Sequence, residues 1–149
     1  MTDDSLDYDP EKNPGYHFGR TFYALKQGLR KAFLDHGLDV TPEQWFVLAF
    51  LWKNEGMSQC ELAEKTTKDR TTITRIVDRL EHKGLIERVR DPKDRRSYRL
   101  FPTARSQELR TVAIPVATAF RDKIFGGLPP EDIHAVNRIL DAIMRRLEE

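Results

Sequence analysis

The stretch from residue 58 to residue 101, SQCELAEKTTKDRTTITRIVDRLEHKGLIERVRDPKDRRSYRLF, decides the fold. Ser58 and the glutamate three residues later have the spacing of a helix capping box, and Asp69 is placed to cap a second helix. Two segments, 86–90 and 97–101, flank a polar loop, and the alternation of the second segment predicts a β-hairpin. The second helix has one apolar stripe at helical spacing, formed by Ile73, Ile76, Val77 and Leu80. The pattern predicts a helix, a tight turn, a helix and a basic hairpin.

Basic residues are concentrated between Lys65 and Arg105, a segment with thirteen Lys or Arg and six Asp or Glu. The segment carries a net charge of +7, whereas the whole chain carries only +1. On a single helix such charges usually form a solvated face. Their concentration across three successive elements instead favours a binding site for a polyanion.

A helix, tight turn and helix followed by a basic hairpin is the winged helix-turn-helix arrangement, in which the second helix enters the major groove of DNA. The residues of that helix outside the apolar stripe carry hydroxyls and guanidinium groups, which suit phosphates and base edges. The candidate DNA-binding residues of the recognition helix are Arg70, Thr71, Thr72, Thr74 and Arg75. Those of the hairpin loop, the wing, are Lys93, Asp94, Arg95 and Arg96. Arginine is favoured in narrow minor grooves.

Further helices are predicted on both sides of this stretch. Phe18, Phe22, Leu25, Leu29 and Phe33 form a helical stripe that ends near Gly37. Thr41-Pro42-Glu43-Gln44 opens a helix that is apolar almost all round and is therefore expected at the centre of the domain. Thr103 caps a long helix that reaches about Phe125, with a kink expected at Pro115. Pro130 starts a last helix with an apolar seam of Ile133, Val136, Leu140, Ile143 and Leu147.

The order of elements resembles the MarR family of bacterial transcription regulators. The most specific match is the wing sequence Asp91-Pro92-Lys93-Asp94-Arg95-Arg96, and residues 80–86, LEHKGLI, are similar to the family's end of the recognition helix. Relatives usually have Leu-Thr and a glycine three residues on after the wing, where this chain has Pro102, Thr103 and Ser106.

The resemblance implies an obligate dimer, built from residues 15–37 and 103–149, that carries a DNA-binding lobe over residues 41–101. Residues 15–149 then form a single domain behind an acidic tail, residues 1–14, which we expect to be mobile. Arg96, steadied by Asp94, is implied to enter the minor groove. The residues expected at the dimer interface are Phe18, Phe22, Ile133, Val136, Leu140, Ile143 and Leu147.

Several classes of protein are not expected. The only cysteine, Cys60, permits neither an internal disulfide nor a C-x-x-C pair, and we interpret it as a small hydrophobic residue. The four histidines lie on different elements, and no catalytic motif is present. We expect no enzyme activity, no cofactor, no metal site and no membrane association, and we expect a cytoplasmic protein.

The sequence thus predicts a mainly α-helical protein with a small β-hairpin wing, a winged helix-turn-helix joined to a helical dimerisation region. The predicted function is that of a sequence-specific DNA-binding transcription regulator, a homodimeric repressor that reads an inverted-repeat operator in double-stranded DNA. The resemblance implies release by a small aromatic or anionic ligand, or by thiol oxidation. The aromatic residues of the first two helices either line a cleft for that ligand or belong to the core. The alternative is a constitutive or architectural DNA-binding protein without a ligand response.

Overall fold

The computed structural model describes residues 7–66 and 68–149. Its helices are α1 (Pro14–Asp35), α2 (Pro42–Lys53), α3 (Gln59–Thr66), α4 (Arg70–His82), α5 (Ala104–Phe125) and α6 (Pro130–Leu147). Its strands are β1 (Met57–Ser58), β2 (Ile86–Arg90) and β3 (Tyr98–Pro102). The predicted fold class, mainly helical with a winged helix-turn-helix, is confirmed.

Side-chain caps set the helix starts where the sequence predicts them. The Thr41 hydroxyl accepts a hydrogen bond from the Gln44 backbone amide at 3.1 Å, and the Gln44 side chain accepts one from the Thr41 amide at 3.2 Å. The Ser58 hydroxyl accepts from the Glu61 amide at 3.0 Å, which completes the second capping box together with the reciprocal bond. These reciprocal bonds satisfy amide groups that a helix N-terminus leaves free.

The end of α4 is a Schellman motif. Gly84 has a φ of 75°, and the Leu85 amide donates to the Leu80 carbonyl at 2.9 Å. A glycine takes this left-handed conformation without a Cβ clash. Leu85 is buried beneath the turn, so the chain leaves the recognition helix in a fixed direction toward β2.

The hairpin is part of a three-stranded antiparallel sheet in the order β1-β3-β2. Met57 pairs with Leu100, and Ile86 pairs with Pro102, the last residue of β3. The sequence analysis missed β1, because a two-residue strand has no alternation to detect. This strand anchors the wing to the start of α3.

The core lies between α2, the inner faces of α3 and α4, the sheet, and the middle of α1 and α5. Its fully buried side chains are Phe33, Val47, Leu48, Leu51, Leu62, Ile73, Val77, Leu80, Leu100 and Ser106. The indole nitrogen of Trp52 donates to the Ser106 hydroxyl at 2.8 Å within this core. Ser106, which stands where relatives usually have glycine, therefore joins α5 to α2. Gly28 brings α1 close to α5, because a Cβ there would lie 2.8 Å from the Phe120 ring.

The terminal helices leave apolar faces uncovered. No residue of α6, all of which the structure describes, is buried, although its seam is apolar. Leu140 is 39% exposed and Phe22 is 60% exposed. Apolar surface of this extent marks a site for a partner.

Three expectations need correction. Residues 10–12, assigned by the sequence analysis to a mobile tail, form a 3-10 turn that Asp9 caps, and α1 already begins at Pro14, whereas residues 1–6 of that tail lie outside the described residues. Cys60, interpreted as a small hydrophobic residue, is exposed. Phe46 is 48% exposed, although its helix was expected to be buried all round.

Candidate nucleic-acid interface

A groove of about 650 Å³ separates the recognition helix from the wing. It lies between α3, α4 and the hairpin loop, and it is lined by Gln59, Cys60, Arg70, Thr74, Arg88, Asp94, Arg96, Ser97 and Tyr98. Four of the predicted DNA-binding residues line it together: Arg70 and Thr74 from α4, and Asp94 and Arg96 from the wing. The groove carries three guanidinium groups and one carboxylate, so its charge favours an anion.

The other predicted residues lie outside this groove. Thr71 and Arg75 are exposed on α4, and Lys93 and Arg95 are exposed on the wing loop. Thr72 is half-buried, and its backbone amide donates to the Asp69 side chain at 2.7 Å. The exposed residues are available on the outer surface, whereas Thr72 helps to form the start of the helix.

Hydrogen bonds within the loop hold the wing in shape. Asp94 Oδ1 accepts from the backbone amide of Arg96 at 3.0 Å, which fixes the loop backbone at Arg96. Asp91 Oδ1 accepts from the amide of Lys93 at 2.9 Å, and Asp91 Oδ2 pairs with Arg99 Nε at 3.3 Å. The Lys93 amide, more than the Arg99 charge, holds the pKa of Asp91 below its ordinary value. Asp91 therefore remains a carboxylate that organises the loop at neutral pH.

The start of the recognition helix is also fixed by a carboxylate. The backbone amide of Thr72 lowers the pKa of Asp69, so the capping group is ionised at the positive end of α4. The sequence analysis did not assign the other five groove residues, Gln59, Cys60, Arg88, Ser97 and Tyr98, to the site. Among them, Gln59 Nε2 donates to Thr74 Oγ1 at 2.7 Å. No sequence signal marks this contact, because it joins two helices fifteen residues apart.

Arg88 joins the wing to the recognition helix. Its side chain is only 16% exposed, and it pairs through Nη2 with Asp78 at 2.6 Å and through Nη1 with Glu81 at 3.2 Å. Of the thirteen basic residues between 65 and 105, Lys83, Arg88 and Arg99 form ion pairs within the described part of the chain. The other ten form none there, so a high positive charge remains available for a partner.

Cys60 lies at the edge of the same groove. Arg70 Nη2 is 4.0 Å from its sulfur, a weak contact between α4 and the first turn of α3. The exposed thiol faces the groove rather than the core.

A second concavity, which we call the cleft, lies between α1, α2 and α5 and has a volume of about 410 Å³. It is lined by Phe22, Leu25, Lys26, Leu29, Pro42, Trp45, Phe46, Ala117, Thr118, Phe120, Arg121 and Phe125. Most of these residues are apolar, and two of them, Lys26 and Arg121, are cationic. Three aromatic residues of the first two helices, Phe22, Trp45 and Phe46, line the cleft, whereas Phe33 belongs to the core.

Over residues 7–66 and 68–149, the side chains of His, Cys, Asp and Glu form no group of three or more that could hold a metal ion. Within the same ranges, no helix is both long enough and apolar enough to cross a bilayer.

Comparison with known proteins gives consistent results. The family model described as MarR family matches residues 40–98, which include the groove. The transcriptional regulator HosA of Escherichia coli O111:H- is 28% identical over 116 residues, covering 76% of this chain and 86% of that protein. CouR from Rhodococcus jostii RHA1, in a crystal structure with p-coumaroyl-CoA, is 27% identical with a TM-score of 0.78, covering 92% of this chain and 95% of that one.

The transcriptional repressor CouR bound to a 23-mer DNA duplex gives a TM-score of 0.79 at 27% identity, over 90% of this chain and 94% of that one. The relatives named here are transcriptional regulators. The order of elements, the groove between helix and wing, and these matches all indicate a winged helix-turn-helix regulator. Residues 40–98 therefore carry the winged helix-turn-helix of the MarR family of transcription regulators.

Proposed function

We propose that this protein is a homodimeric repressor that binds an inverted-repeat operator and is released by a small aromatic or anionic ligand. The observation that carries the proposal is the shared groove, where Arg70 and Thr74 of the recognition helix face Arg96 of the wing. A protein that reads DNA in this way works in the cytoplasm of a bacterium.

In this proposal the two walls of the groove have different tasks. The N-terminal part of α4 enters the major groove, where Arg70, Thr74 and the exposed Arg75 reach base edges and phosphates. Arg96 extends from the wing toward the adjacent minor groove, whose potential attracts arginine. Residues 41–101 form the DNA-binding lobe.

The second copy of the chain covers the exposed apolar faces of residues 15–37 and 103–149. Leu140 and Val136 of α6, and Phe18 and Phe22 of α1, are exposed in one subunit. Burying such faces supplies the hydrophobic stabilisation that a dimer requires. The pairing sets two recognition helices about one helical turn of DNA apart.

The cleft is the proposed ligand site. CouR, with 27% identity, binds p-coumaroyl-CoA, a molecule with an aromatic ring and negative charges. The cleft has aromatic walls and two cations, which suit such chemistry. A ligand that binds one lobe arrangement better than another shifts the population by that difference in affinity.

Selection of genomic fragments by the purified protein tests the proposal. We expect recovered sites to share an inverted repeat, with half-site centres about 10 bp apart. We expect Arg75→Ala to relax base preference by about 1–3 kcal/mol at one position per half-site. Recovery of fragments with no common motif would instead favour an architectural protein, and operator binding that no ligand alters would favour a constitutive regulator.

A further inference from the structure

The first turn of α3 contacts the recognition helix through two side chains. Gln59 Nε2 donates to Thr74 Oγ1 at 2.7 Å, and Arg70 Nη2 lies 4.0 Å from the sulfur of Cys60. Arg70 and Thr74 are four residues apart, so they lie on the same face of α4. That face lines the groove between α4 and the wing. The first turn of α3 therefore supports the side of α4 that we propose to meet DNA.

The backbone at Gln59 is held from both sides. Gln59 is the first residue of α3 and follows Ser58, which forms the two reciprocal bonds of the capping box with Glu61. Ser58 also belongs to β1, where it pairs with Arg99 of β3. The Gln59 side chain is half-buried, whereas Thr74 is exposed. A fixed backbone thus brings the amide of Gln59 to a hydroxyl on the outer surface.

The hydroxyl of Thr74 keeps its hydrogen for an outside acceptor. A hydroxyl offers one hydrogen and two lone pairs. In Thr74 one lone pair accepts the bond from Gln59, and in the described part of the chain the hydrogen is donated to no acceptor. Thr111 on α5, by contrast, donates its hydrogen to the Glu108 carbonyl of its own helix at 2.7 Å. The Thr74 hydrogen is therefore available to a partner of the protein.

The bond from Gln59 also favours donation by Thr74. It excludes the orientation in which the hydroxyl hydrogen points back at Gln59, and it polarises the hydroxyl, which makes it a better donor. In the major groove, guanine O6 and thymine O4 are acceptors, whereas adenine N6 and cytosine N4 are donors. A donating hydroxyl at this place therefore favours guanine or thymine as the contacted base.

We infer that Gln59 is a specificity-determining residue, because its bond to Thr74 makes the Thr74 hydroxyl a donor to guanine or thymine in each half-site of the operator. This inference rests on the proposed function, since it assigns a base preference to the groove. Gln59 acts through Thr74, so it is a positioning residue. The preference resides in a pair of residues on two helices and is not a property of the recognition helix alone.

The first experiment locates the base pair that Thr74 contacts. Selection of genomic fragments supplies the operator, and each position of one half-site is then changed to every other base pair and titrated by fluorescence anisotropy. Thr74→Val removes the hydroxyl and retains the branched shape, so the position where this variant loses base preference is the Thr74 position. There we expect the wild-type protein to bind guanine or thymine about three- to tenfold more tightly than adenine or cytosine.

Gln59→Glu reverses the direction of the hydrogen bond. An ionised carboxylate has no hydrogen to donate, so Thr74 must donate to it and then presents only lone pairs to DNA. We expect the preference at the Thr74 position to change to adenine or cytosine, again by about three- to tenfold. Gln59→Met removes the bond without reversing it, and the affinities for the base pairs at that position should then agree within about twofold.

Lys65→Gln is the matched control for charge. Like Gln59→Glu, it makes each subunit more negative by one unit, and Lys65 is an exposed residue in the last turn of α3 that does not line the groove. It should weaken binding to all operator variants alike and leave the base preference unchanged. Circular dichroism shows whether each variant is folded, and Gln59→Met carries the test should Gln59→Glu fail to fold.

A double variant tests whether Gln59 acts through the hydroxyl. In the Thr74→Val background, Gln59→Glu should leave the base preference as it is in Thr74→Val alone, because no hydroxyl remains to be turned. A change of preference in that background would overturn the inference. So would a Thr74→Val variant with the wild-type preference at every position, or a Gln59→Glu variant with the wild-type preference at the Thr74 position. The last result would mean that Thr74 already donates to the Gln59 side chain.

The same titrations separate this inference from the proposed function. A wild-type protein that selects no common motif refutes the proposed function, and the role of Gln59 falls with it. A wild-type protein that reads an inverted repeat, but whose base preference does not depend on Gln59, refutes the inference alone.

Discussion

Replacing Arg96 by alanine removes a cation from the wing without disturbing its shape. Arg96 is exposed, and in the described part of the chain its guanidinium forms no ion pair. The loop is held instead by the Asp94 side chain on the Arg96 backbone amide, which alanine retains at 3.0 Å. We therefore expect the variant to fold as wild type does and to lose operator affinity.

The size of the effect follows from the number of charges. A dimer that neutralises about 6–10 phosphates loses about 10³–10⁵ in affinity between 50 and 200 mM salt. Arg96→Ala removes one cation from each subunit, so the dimer neutralises two fewer phosphate charges. The slope of log affinity against log salt should become less steep by about 1.8, since each contact contributes about 0.9.

Fluorescence anisotropy with a labelled operator between about 50 and 200 mM salt measures both slopes. Arg110→Ala is the matched control, because Arg110 is an exposed arginine of α5 that does not line the groove. Its slope should equal that of wild type. The role of the wing would be refuted if Arg96→Ala and Arg110→Ala both showed the wild-type slope of log affinity against log salt.

Three further outcomes are expected. Leu140→Asp should turn the dimer into a monomer in sedimentation velocity, because it places an unpaired charge in the apolar seam of α6; a dimer that persists would move the interface away from α6. Ser106→Ala should lower the free energy of unfolding in urea by about 1–3 kcal/mol, because it leaves the buried indole N–H of Trp52 without an acceptor. The double variant Trp52→Phe, Ser106→Ala should lose less unfolding free energy than the sum of the two single variants. Asp91 has a lowered pKa, so its stabilisation is present above its ordinary value of 3.8 and is lost as the pH falls through the folded value. The Asp91→Asn variant should therefore lose less stability than wild type between about pH 6 and pH 3, and equal losses would contradict the role of Asp91.

Local chemistry made most of the fold predictable. Asp69 caps the start of the recognition helix, and Gly84 ends it in a left-handed conformation. Both effects act over only a few residues, so both ends of the helix can be recognised in the sequence. The capping box at Thr41 is equally local. By contrast, β1 depends on the pairing of Met57 with Leu100, more than forty residues away. A two-residue strand is visible only when its partner is in place.

The groove was predictable in its charge but not in its arrangement. Sequence counting treats Arg88 like any other basic residue, yet Asp78 and Glu81 neutralise it. Cys60 was interpreted as a small hydrophobic residue, but it is exposed on α3 and lines the groove. The assignment of Arg70, Thr74 and Arg96 to DNA contact remains a prediction, which the experiments above test.

The contacts of Arg88 have a consequence for protein engineering. This side chain joins the wing strand to Asp78 and Glu81. The recognition helix and the wing therefore form one rigid unit with a fixed angle between them. Grafting the outward-facing residues of α4 into another regulator would transfer base preference only if the recipient supplied the same two acids and an arginine opposite them. A graft without these three residues would present the correct side chains at the wrong angle between helix and wing.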